Sequence, residues 1–146
     1  MKYLKLIVVF LVLISCSNKG EKEANALLSK SFFLEKSIKE INTINVQDAF
    51  SKYQKNIELV KKCVNAIENE FARRMNNYKG LKRACPNFLT SYDLTKKNLE
   101  TEINQLKMLR LDLSNNLVPT DSIPYYIEME EKNVQKISDD LLDVLT

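Results

Sequence analysis

Residues 46–71 read VQDAFSKYQKNIELVKKCVNAIENEF, and Val46, Phe50, Tyr53, Ile57, Val60, Val64, Ile67 and Phe71 recur along them in alternating steps of four and three. Such steps return to one face of an α-helix, whereas a half-buried strand would bring apolar residues back at every second position. The stretch predicts one amphipathic helix, capped at Asn45 with Asp48 three residues on, and stopped at Gly80.

Three more stripes lie around it. A helix over about 22–42 places Leu27, Leu34, Ile38 and Ile41 on one face, with Phe32 and Phe33 beside it. Another follows Pro86, is capped near Thr90 or Ser91, carries Leu99, Ile103, Leu106, Leu113 and Leu117, and ends at Pro119. The last is capped near Asp121 or Ser122 and shows Ile123, Ile127, Val134, Ile137, Leu141 and Val144. With glycine only at 20 and 80 and proline only at 86, 119 and 124, the composition suits long helices joined by few turns. The stripes are narrow, near the 3.5-residue period of coiled coils, so neighbouring helices should pack close to antiparallel. The expected fold is all-α, an antiparallel up-down bundle of about four helices.

The N-terminus is of another kind. Lys2 and Lys5 form a basic head, Leu6 to Ile14 is an apolar run of nine residues, and Ser15-Cys16 ends it. A membrane span needs about 20 apolar residues and a secretory signal core about 7 to 15, so this run reads as an export signal. Leu13-Ile14-Ser15-Cys16 resembles the lipobox of bacterial lipoproteins, a resemblance confined to the first 16 residues. It implies a signal peptide cleaved after residue 15 and Cys16 thioether-linked to diacylglycerol, with further acylation of the new N-terminus. One chain anchors marginally, and two or more, at about 0.8 kcal/mol per buried CH2, hold a domain on a membrane. Ser17 stands where an aspartate would retain such a protein at the inner membrane, which favours the outer membrane, on its periplasmic or surface face. The organisation expected is a signal over 1–15, a lipidated cysteine and short polar tether over 16–22, and one helical-bundle domain over 23–146.

Without Lys2 and Lys5 the chain carries 20 basic against 19 acidic residues, a net charge of +1, which gives no sign of nucleic-acid binding. The partners expected are the membrane, through the anchor, and a protein or other envelope component. Cys63 and Cys85 remain as an even pair, which an oxidising compartment permits to form a disulfide. If the chain turned near Arg74 the two would be level. A turn at Gly80 would offset them by about 18 Å, beyond the roughly 7 Å Cα limit of a bridge.

The absence of histidine removes His-based triads and HExxH zinc sites, and two glycines cannot build a phosphate loop. Neither cysteine has a histidine base or zinc-motif spacing. No catalytic residue, metal or cofactor is therefore assigned. RRMNNYKGLKR, 73–83, brings Arg73, Arg74, Lys79, Lys82 and Arg83 together without an acid. It reads as a basic tip for an anionic partner, or as a solvated turn whose cations complement a helix C-terminus. Two charges interrupt the stripes, Arg110 and Glu130. A turn near Pro119 would level them as a structural ion pair at the core edge, unless Leu109 turns inward and both charges reach water. The functional expectation is a non-catalytic, lipid-anchored binding or scaffold module. The alternative is a small inhibitor or immunity-type lipoprotein that blocks a toxin or hydrolase.

Overall fold

The computed structural model describes residues 2–63 and 69–145. Among them the protein is all-α, with no strand: α1 (Lys2–Lys39), α2 (Thr43–Cys63), α3 (Asn69–Lys79), α4 (Leu81–Ser114) and α5 (Ile123–Leu145). Helix α4 is the common partner. Helices α1 and α5 pack on it and on each other, while α2 lies against it and α3 leads into its start through Gly80.

The contacts fix the sense of each helix. A Cβ built on Gly20 would lie 2.6 Å from Ile123 Cγ2 and 3.5 Å from Leu113 Cδ2, so the start of α5 and the end of α4 meet α1 at one level. Ten residues further along α1, Lys30 Nζ donates to Gln135 Oε1 at 2.9 Å, so α5 runs in the same sense as α1. Helix α4 runs against both. At the other end Asn56 Nδ2 donates to Tyr78 Oη at 3.1 Å, and the Tyr53 and Tyr78 rings lie 5.0 Å apart, which sets α2 beside α3.

Several helix ends differ from the sequence expectation. The cap of α2 is Asn42, whose Oδ1 accepts from Asn45 N at 3.2 Å, three residues earlier than expected. Gly80 has a right-handed helical backbone, φ −54° and ψ −35°, so it joins α3 to α4 without reversing the chain. Pro86 sits inside α4, near enough to its start that the bond lost from a missing N–H falls in the second turn. Helix α4 ends through Asn116, which takes φ 55° while Leu117 N donates to Asp112 O at 2.9 Å, the bond of a Schellman turn. Pro119 is not needed for that stop, and Leu117 lies outside the helix, exposed. The expected tether is likewise helical: nothing in SNKGEKE breaks a helix except Gly20, and Gly20 is buried.

The core lies where three helices meet. Leu28, Leu34 and Ile38 of α1, Leu99, Ile103 and Leu106 of α4, and Val134, Ile137 and Leu141 of α5 form one buried cluster. The most regular stripe in the sequence does not enter it. In α2 only Tyr53 is buried, and Val46, Phe50, Ile57 and Val60 are half-buried, because α5 adds no third helix there. Val64 and Ile67 lie outside the described residues.

This difference has a measurable result. Leu106 is fully buried, so Leu106→Ala should lower the unfolding free energy by about 2 to 5 kcal/mol. Ile57→Ala, at a half-buried site, should cost less than about 1.5 kcal/mol. Denaturant unfolding of the two variants checks the ranking, and equal losses would place the core elsewhere.

Candidate functional site

A polar layer crosses the apolar core. Ser31 is eleven residues beyond Gly20 in α1, and Glu102 is eleven residues before Leu113 in α4, so the antiparallel register brings them to one level. Glu102 hydrogen-bonds the carboxylate of Glu130 on α5, and Glu130 Oε2 also accepts from Asn133 Nδ2 at 3.2 Å. All three core positions are closed to solvent: Ser31 is 0% exposed, Glu102 3% and Glu130 6%. Among the described residues Ser31 Oγ and Glu102 Oε1 have no hydrogen-bond partner.

Two carboxyl groups can bond to each other only if one holds a proton. Burial first, then the Glu130 hydrogen bond and the Glu130 charge, push Glu102 up to about 8, against a smaller lowering by Asn133. At neutral pH Glu102 thus keeps its proton and donates it to Glu130. Enclosed as it is, the pair can gain or lose a proton but cannot meet a substrate.

The sequence reading missed Glu102 by stepping from Leu99 to Ile103. The signal was present, since Thr95, Leu99, Glu102 and Leu106 also follow steps of four and three. Glu130 is buried as its place in the α5 stripe implies, but its expected partner is wrong. Arg110 is exposed, half-buried Leu109 takes the inward position, and Glu130 bonds Glu102 and Asn133 instead. There is no Arg110–Glu130 ion pair.

Cys63 and Cys85 are both free, the first exposed and the second buried. Asn56 and Tyr78 are level, and Cys63 lies seven residues past Asn56 while Cys85 lies seven past Tyr78 in the opposite direction along the pair. That offset is about 21 Å, so no disulfide forms. The side chain of Cys16 lies outside those described.

Arg73, Arg74, Lys79, Lys82 and Arg83 are all exposed and straddle the Gly80 junction instead of capping a turn. Arg74 pairs with Glu70 at 2.8 Å, and Lys79 Nζ donates to Asn76 Oδ1 at 3.4 Å. They belong to a wider asymmetry. Residues 49–92 carry nine Lys and Arg against three acids, and residues 93–146 carry six against eleven. The basic half is the α2–α3 arm with the start of α4, and the acidic half includes all of α5.

At the opposite end, a groove of about 700 Å³ runs between α1 and the start of α5, lined by apolar residues such as Leu27, Ile123 and Ile127 and by the charged Glu23, Lys30, Glu128 and Glu131. Among the described residues no group of three or more Asp, Glu, Cys or His could hold a metal ion, and no helix is long and apolar enough to cross a membrane.

Two expectations follow for solution measurements. Because Glu102 holds its proton more tightly folded than unfolded, its contribution is full below about pH 4.5 and is lost as pH rises through about 8. The unfolding free energy should fall over that window by about 2 to 5 kcal/mol, and Glu102→Gln, which still donates to Glu130, should flatten the fall. An unchanged slope in the variant would show that no proton is shared. For the cysteines, a Cys16→Ala protein should give one thiol that reacts at once with a disulfide reagent, Cys63, and a second, Cys85, only on unfolding.

The chain matches no protein-family model, and neither a curated protein nor a solved structure is significantly similar to it.

Proposed function

We propose that this protein is a lipid-anchored, non-catalytic module of a bacterial cell envelope, attached at the outer membrane through Cys16 and binding a protein or another envelope component. The observation that carries the reading is the lipobox Leu13-Ile14-Ser15-Cys16 at the end of a short apolar run. In this reading α1, α4 and α5 form an antiparallel up-down bundle that serves as a stem, and α2 with α3 forms an arm that continues it. From Gly20 to Lys39 and from Thr43 to Cys63 the two helices add up to about 60 Å. The anchor and the basic arm then stand at opposite ends, which separates attachment from recognition. A non-catalytic role is supported by the lack of histidine and of any glycine-rich loop, and by the enclosure of Glu102 and Glu130.

Substituting Cys16 by Ala should abolish incorporation of labelled palmitate and move the protein from the membrane to the soluble fraction. Palmitate label retained by the Cys16→Ala protein would falsify the anchor. On the recognition side, Lys79→Glu with Lys82→Glu and Arg83→Glu should reduce co-purification of envelope partners from detergent extracts, while leaving lipidation unchanged. Identical partner recovery would remove the arm from the reading.

A further inference from the structure

Among the described residues, the end of the stem nearest Cys16 exposes several large apolar side chains. Leu117, in the turn between α4 and α5, is 68% exposed, Tyr125 65% and Leu111 50%, and Met108 near the end of α4 and Tyr126 at the start of α5 are exposed too. Exposed apolar residues are ordinary when scattered, whereas five within 19 residues at one end of a molecule mark a surface that meets something.

Their level relative to the anchor follows from the helix register. Gly20 faces Leu113. Cys16 is four residues before Gly20 in the same helix, about 6 Å further toward that end, and the turn that carries Leu117 leaves α4 one residue after Leu113. Ile123, which meets Gly20, returns the chain to the same level. The α4–α5 turn and the lipid-bearing residue therefore share one end of the molecule.

We infer that this end is a second membrane contact, in which the α4–α5 turn with Leu111, Leu117, Tyr125 and Tyr126 rests in the headgroup boundary of the bilayer that holds the Cys16 lipid. The inference rests on the lipoprotein reading above. Tyrosine suits such a boundary because its ring is apolar and its hydroxyl is not, and here Tyr125 and Tyr126 stand edge to face at 5.6 Å. From residue 107 to 121 the charges balance, Lys107 and Arg110 against Asp112 and Asp121. A cysteine-linked lipid alone would leave the stem free to swivel. A second contact, on α4 and α5 beside the anchored helix, fixes its axis and directs the basic arm away from the membrane.

The chain contains no tryptophan, so one introduced residue reports without background. Leu117→Trp and Tyr125→Trp place the probe in the surface, and Phe33→Trp, at a position 68% exposed on the stem, is the control. Each lipidated protein is reconstituted in vesicles of phosphatidylethanolamine and phosphatidylglycerol, with and without brominated acyl chains, and flotation is scored on the same samples. Emission from positions 117 and 125 should shift to shorter wavelength and be quenched about twofold or more by the bromolipid, with position 33 unaffected. Protein that floats while positions 117 and 125 are quenched no more than position 33 overturns this contact and leaves the anchor standing. Protein that does not float overturns both. A shift to shorter wavelength that grows with protein density but shows no bromolipid quenching assigns the surface to a second copy of the chain and likewise overturns the membrane contact.

Discussion

Gly20 lets the backbone of α1 approach α5 so closely that any Cβ there would meet Ile123 Cγ2 at 2.6 Å, and the level of every other contact in the stem follows from that approach. With Gly20 against Leu113 and Ile123, Ser31 falls level with Glu102 and Lys30 reaches Gln135. A side chain at position 20 must push on Ile123, the first residue of α5, and so on the start of that helix. Glycine weakens a helix interior by roughly 1 kcal/mol relative to alanine, and close packing of three helices is what the chain obtains in return.

Within that register the carboxyl pair has two opposed effects. Placing Glu102 and Glu130 among Leu99, Leu106 and Val134 is unfavourable compared with apolar side chains of similar size. The proton held on Glu102 removes its charge from the core and supplies a directed bond from α4 to α5. A slip of one helical turn between these helices would set each carboxyl against aliphatic groups, so the layer discriminates between registers that an all-aliphatic seam would tolerate.

How much of this was legible in the sequence depends on what each signal encodes. Apolar periodicity gave the helical class and the buried faces of α4 and α5, because the stripe at Leu99, Leu106, Leu113, Val134, Ile137 and Leu141 is set by burial itself. It misled at α2, since a stripe records which face turns inward and not how much covers it. It also misplaced the reversal of the chain. Gly80 permits a turn without requiring one, while the pairing of Asn56 with Tyr78 shows that α3 already lies back beside α2 before Gly80 is reached. The Arg110–Glu130 pairing failed for a related reason: opposite charge at matched level does not fix rotation about the helix axis, and Leu109 competes for the inward position. The exposed apolar end near Leu117 was invisible because the sequence placed that residue inside a helix and on its buried side.

The stem is built from the two ends of the chain, and this bears on the order in which its parts can form. Lys30 and Gln135 are 105 residues apart, whereas Asn56 and Tyr78 are 22 apart. A chain that emerges amino-terminus first presents the apolar face of α1 long before α4 and α5 exist to cover it, and the α2–α3 pairing completes in the interval. The thin, locally paired arm can thus form before the thick, well-packed stem closes, so the region around Gly20 is made ahead of the arm and becomes structurally secure only after it.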